Sequence, residues 1–294
     1  MSLINQTRIA SGLYYQSRKN SLLWKSYLSK LSEDSNPEVV QRVLSFGALS
    51  HAAKGIVFAE LYGISRTLPV SPKARLCCTS VISLSSSVDD VIDQEIKSIQ
   101  EKMQFCEGIF ETIIGKNRYT GNTASQEAVL MLTRDLYKQI RDCPDVSIFY
   151  AVLSQLKKAV VANLHEKDAG KLLDLAREIG SNTAELVCIY GIVDKKSSPD
   201  IETPIRFYGE FGQIIDDLVD YKRDLAEGQN TFPTRCGLQY KEMKRIMLRE
   251  SEKSFRKCLD NSRAEWRDYF RVFRKISLLV WKTPDWFIPK YQDS

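Results

Sequence analysis

The chain is poor in histidine, glycine and proline. Histidine occurs only at His51 and His165 in 294 residues. The cysteines, Cys77, Cys78, Cys106, Cys143, Cys188, Cys236 and Cys258, form no CxxC pair. With neither histidine near a cysteine pair, no zinc site of the usual spacing is expected. An odd cysteine count with one adjacent pair suggests reduced thiols, not a disulfide framework. Glycine (14) and proline (9) are sparse and cluster between long segments, which argues against many short strands joined by turns. No apolar run approaches the ~20 residues needed to cross a bilayer. The N-terminus, MSLINQTRIASGLYYQ, lacks a basic-then-apolar targeting pattern. A cytoplasmic protein, soluble or at most membrane-associated, is therefore expected. The formal net charge of +5 is too mild and too evenly spread for a nucleic-acid partner.

What the chain has is apolar content, 43% of its residues, enough for a sizeable core. The patterning predicts helices at about 37–62, 72–108, 124–142, 145–165, 168–193, 202–227, 239–258 and 262–281, with another near 18–31. Asn36-Pro37 and Ser71-Pro72 each read as a cap followed by a first-turn proline. Loops are expected at 64–70, 115–123, 194–203 and 228–237. No repeat or linker interrupts the pattern. The expectation is one all-α domain over 1–294, a helical bundle with its core at about 37–281.

Two aspartate clusters stand out. The first, SSSVDDVIDQE, holds Asp89, Asp90 and Asp93. On a helix Asp89 and Asp93 lie about 40° apart and one turn apart, so both carboxylates reach one point. The second, FGQIIDDLVDYKRD, holds Asp216, Asp217, Asp220 and Asp224. Asp216, Asp220 and Asp224 make an i, i+4, i+8 acidic stripe, with Gln213 and Arg223 on nearly the same face. Like charges so arranged destabilise a helix unless something neutralises them. Hard divalent cations such as Mg²⁺ take carboxylate oxygens and commonly bridge to phosphates. A lone cluster is more often a solvated acidic face. Two clusters, each following an apolar or small-residue stretch in an all-helical chain, favour a metal and diphosphate site.

These residues resemble the class I isoprenoid synthase superfamily, all-α enzymes that use Mg²⁺ to ionise allylic diphosphates. DDVID at 89–93 is similar to the superfamily's first aspartate-rich motif. DDLVDYKRD at 216–224 is similar to the second metal motif of terpene cyclases, where Asn or Asp, Ser or Thr, and Glu stand at i, i+4, i+8. Here Asp220 and Asp224 replace the last two, as in the second DDxxD of chain-elongating prenyltransferases. Ser65-Arg66-Thr67 and Leu68-Pro69 resemble a segment of squalene and phytoene synthases, which usually carry an arginine just before the DDxxD. This chain has serines there.

The resemblance implies three Mg²⁺ ions, replaceable by Mn²⁺, held by Asp89 and Asp93 with Asp90 in support, and by Asp216, Asp220 and Asp224. It implies diphosphate contacts from Arg223, from Arg177 ahead of a helix break at Gly180–Thr183, and from a C-terminal Lys290-Tyr291 pair. Ser85, Ser86, Thr183, Tyr190 and Gln213 are the expected pocket residues, the serines leaving depth for a long substrate.

Elongating enzymes need a second basic pocket for isopentenyl diphosphate, and neither of its usual motifs is present. A terpene synthase acting on one prenyl diphosphate is therefore the leading expectation. A prenyltransferase joining two units is the second, and a non-catalytic helical partner subunit the third. The basic, aromatic segment YFRVFRKISLLVWKTPDWFIP suits a membrane surface and a buried final helix equally. A homodimer is left open.

Overall fold

The computed structural model describes residues 3–45, 70–116, 119–194 and 199–282. Among the described residues there is no strand. Helix α1, Leu3–Leu31, buries Trp24 and Leu28. Asn36 caps α2, Pro37–Ser45, accepting from the Val39 N–H at 2.9 Å. Ser71 caps α3, Pro72–Asp90, accepting from the Ala74 N–H at 3.1 Å. Both caps follow the sequence pattern, with proline at the first helical position. The expected remainder of the 37–62 helix, His51 and the segment Ser65–Pro69 lie outside the described residues.

The predicted 72–108 helix is in fact two. After Asp90 the backbone widens into a π turn over Val91–Glu95, with the Ile96 N–H donating to the Val91 carbonyl at 3.1 Å. Ile96 is extended, and Ser98 caps a fresh helix, α4, Ile99–Ile113, accepting from the Glu101 N–H at 3.1 Å. Ser98 also donates to the Glu101 carboxylate at 2.8 Å. That side-chain cap starts a new helix where the preceding pattern alone reads on.

Helices α5 (Ala124–Ile140) and α6 (Val146–His165) follow near their predicted bounds, whereas α7 (Ala169–Val187) stops six residues short of the predicted end at 193. A five-residue helix, α8, Ile189–Val193, comes next. The long α9, Pro199–Glu227, leads to a single turn, α10, Phe232–Arg235, inside the expected 228–237 loop. Helices α11 (Tyr240–Asp260) and α12 (Ala264–Lys282) complete the described chain.

The centre of the bundle is α9, which packs most extensively on α7 and α11. Its apolar side supplies Ile205, Phe211, Ile214 and Ile215 to the core. Gly180 of α7 and Gly209 of α9 meet backbone to backbone; a Cβ on either would strike the other's carbonyl oxygen. The expected break at Gly180–Thr183 is absent. The helix runs through it and ends at Cys188, because Gly180 serves close helix approach and not a bend. Helix α3 lies against α5, α7 and α8, with the Cys78 thiol donating to the Val187 carbonyl at 3.3 Å.

Candidate active site

The end of α3 and the second half of α9 bring the two aspartate clusters together. Asp89 feels the charges of Asp93, Asp216 and Asp90. Asp90 feels Asp220, and Asp224 feels Asp93. The two clusters therefore lie within reach of each other's charge, Asp89 with Asp216, Asp90 with Asp220 and Asp93 with Asp224, as one acidic site between α3 and α9. The π turn supports this, since Asp93 sits within it and its carbonyl accepts from Gln229 Nε2, just past α9, at 3.4 Å.

Asp89, Asp90, Asp93, Asp217, Asp220 and Asp224 are all held above the ordinary aspartate range, and burial is the first cause each time. Asp89 is raised most clearly, by burial and then by Asp93, Asp216 and Asp90. Its side chain is exposed at the end of α3, beside the neighbouring carboxylates that crowd it. Asp224 is pushed up to about 7 by burial and the charge of Asp220, against the pull of Arg223. Carboxylates so shifted are short of positive charge, and perturbed groups in a cleft mark candidate sites.

Asp217 was legible in the sequence but given no role. It is 8% exposed, accepts from Gln213 Nε2 at 2.9 Å, and is pushed up to about 7 by burial. Gln213 is thus a partner of Asp217. Asp216, one residue earlier, faces solvent.

Arg223 is the local counter-charge. Its Nη2 stands 2.7 Å from Asp220 and 3.8 Å from Asp224, and its Nε 4.0 Å from Glu227. Lys102 of α4 reaches Asp93 at 3.8 Å. Sequence reasoning missed Lys102, Gln229 and Glu227. No local spacing marks Lys102, which reaches Asp93 only because the chain breaks between α3 and α4.

Arg177 is not free for the cleft. It pairs with Asp174 at 2.5 Å and with Glu250 of α11 at 2.9 Å. Ser85, Ser86 and Thr183 are half-buried. Tyr190 lies in α8, its side chain outside the described residues, as are Lys290 and Tyr291. Deeper in the bundle, the Ser80 and Ser83 hydroxyls and the Asn182 amide nitrogen are buried without hydrogen-bond partners.

Among the described residues no three His, Cys, Asp or Glu side chains converge as a ready-made metal site. The stripe Asp216–Asp220–Asp224 rises about 12 Å along α9, too far for one ion to gather without adjustment. The donor set still fits Mg²⁺. That ion takes one or two carboxylates, waters and substrate phosphates, and rarely an all-protein cage. Hard oxygen donors on two opposed helices supply that chemistry.

No family model and no curated protein matches the chain. Among solved structures, a variant of cucumene synthase aligns over 92% of this chain and 95% of that one, with a TM-score of 0.55 and 12% sequence identity. The fold is thus all-α, of the class I terpene synthase type.

Proposed function

We propose that the protein is a Mg²⁺-dependent class I terpene synthase that ionises a single prenyl diphosphate. The observation that carries this reading is the proximity of Asp89, Asp90 and Asp93 to Asp216, Asp220 and Asp224, close enough for their charges to interact, with Arg223 beside them. Asp89 and Asp93 would hold Mg²⁺ on one wall and Asp216, Asp220 and Asp224 on the other, three ions in all. Bound there, Mg²⁺ would neutralise the charge that develops on the departing diphosphate.

The chain's own residues do the rest. Asp90 adds negative potential beside Asp89 and Asp93, toward Asp220. Arg223, now tied to Asp220, is placed to exchange that carboxylate for a diphosphate oxygen, a charge-assisted contact. Gln229 and Lys102 hold Asp93 from two sides. The carbon–oxygen bond breaks with its electron pair leaving on diphosphate. The allylic cation that remains is shielded from water by the apolar bundle. It ends by proton loss, cyclisation or capture.

Diphosphate release and extractable product should be measured with single prenyl diphosphates of graded chain length, with and without isopentenyl diphosphate. Hydrocarbon or alcohol from one substrate alone supports the reading. Product only with isopentenyl diphosphate would transfer the site to a prenyltransferase. One observation favours that second reading: Asp216, Asp217 and Asp220 repeat the first motif's spacing, with aspartate where cyclases carry Ser or Thr.

A further inference from the structure

We infer that the surface formed by the end of α9, the loop after α10 and the start of α11 is a docking face for an anionic lipid bilayer. Helix α11 shows solvent one stripe at its start: Tyr240, Lys241, Lys244, Arg245 and Leu248, all exposed. Its opposite side buries Met243 and Met247. Leu238 in the preceding loop is 38% exposed, Tyr240 49% and Leu248 41%. The Tyr221 ring of α9 stacks on Tyr240 at 5.7 Å, and the Lys244 ammonium lies 5.9 Å from the Tyr240 ring. These contacts join the two helices into one surface, and α9 adds Leu225 to it, 55% exposed.

The chemistry selects the occupant. From Cys236 to Arg249 the chain carries four basic residues, Lys241, Lys244, Arg245 and Arg249, against one acidic residue, Glu242, and the end of α9 adds exposed Lys222 and Arg223 against exposed Glu227 and buried Asp224. Clustered cations beside exposed leucines and a tyrosine combine headgroup attraction with apolar insertion, as interfacial helices do. A second copy of this chain would bring like charges together. A nucleic-acid backbone would leave the leucines in water. The face adjoins the acidic cleft, since Tyr221 and Leu225 directly follow Asp220 and Asp224 on α9. A substrate with a lipid tail would thus reach the cleft from the bilayer. That advantage rests on the proposed chemistry, whereas vesicle binding does not.

The test is co-sedimentation of the full chain with phosphatidylcholine vesicles, with and without phosphatidylserine. Binding should require phosphatidylserine and weaken with salt. Lys241→Gln with Lys244→Gln should lower the partition coefficient about 25-fold, at about fivefold per basic residue near the surface. Leu238→Ser with Leu248→Ser should lower it at low salt too. Lys19→Gln, on α1, should leave it unchanged, and circular dichroism should show all variants folded. Absent binding, equal loss in Lys19→Gln, or unchanged binding in both double variants overturns the inference. So does a monomer–dimer shift caused by the double variants in sedimentation velocity. Binding without diphosphate release would retain the docking face and sink the proposed activity; release without binding would do the reverse.

Discussion

Gly180 and Gly209 hold α7 and α9 so close that neither position has room for a methyl group. The consequence reaches the cleft. Helix α9 carries Asp216, Asp220 and Asp224, so its seat on α7 sets where one acidic wall stands. A break at Gly180 would have released that seat; the continuous helix keeps it.

Gly209→Val should therefore destabilise the protein by about 1–3 kcal/mol or more, the usual result of overpacking a tight contact. Gly212→Ala is the control on the same helix. Nothing lies within 4 Å of a Cβ there, so alanine should stabilise by up to about 1 kcal/mol through helix propensity. Urea denaturation of both variants reads the contrast. Equal effects would mean that the helices are not in backbone contact.

Asp89→Asn should split stability from activity. The Asp89 carboxyl is held well above the usual range by burial and by Asp93, Asp216 and Asp90. Removing its charge should raise the melting temperature of metal-free protein. The same change should lower Mg²⁺-dependent diphosphate release at least about 100-fold, the scale of losing one electrostatic stabiliser of a leaving charge. A variant less stable and fully active would contradict both the crowding and the role.

The cluster also fixes a pH dependence. Asp217 and Asp224 are pushed up to about 7, and Asp89, Asp90, Asp93 and Asp220 are raised too. Unfolded aspartates titrate near about 4. Above the unfolded value the folded chain binds more protons than the unfolded one, so this contribution to stability declines as pH rises, that of Asp217 and Asp224 through about 7. In chelator-treated protein, the urea midpoint should be higher at about pH 5.5 than at about pH 8. Added Mg²⁺ should recover the loss at the higher pH by binding the native state. A midpoint that climbs with pH would show that the carboxylates are not short of positive charge.

Arg177 and Arg223 should behave differently. Arg177→Ala removes one of three cationic partners of Glu250, which keeps Arg249 at 3.1 Å and Lys253 at 2.8 Å, and should cost about 0.5–1.5 kcal/mol with the KM for prenyl diphosphate nearly unchanged. Arg223→Ala removes the cation among Asp220, Asp224 and Glu227, and should raise KM for diphosphate substrates and lower kcat. Denaturation curves beside steady-state kinetics separate the two. A large KM effect from Arg177→Ala would restore it to the cleft.

Much of this was legible in local pattern. Apolar periodicity and the Asn36-Pro37 and Ser71-Pro72 caps locate helices, because each depends on a few adjacent residues. The two aspartate clusters are visible for the same reason. Less legible was where a helix ends when two signals compete. The run through Asp90 reads on as helix, while Ser98 and Glu101 start a new one, and the compromise is a π turn under Asp93. At Gly180 the residue alone suggested a bend. Only the neighbouring Gly209 shows that its missing side chain serves contact.

The all-helical class and the supply of carboxylates are written into local stretches of the chain, because secondary structure and charge spacing are short-range properties. Only the tertiary structure decided which groups meet. It set Asp89 against Asp216 and Asp224 against Asp93, brought Lys102 and Gln229 to Asp93, and sent Arg177 to Glu250. Those pairings join residues far apart in the chain. They depend on how α3, α7, α9 and α11 pack, and packing is set by the joint fit of all the buried faces, which no single stretch encodes.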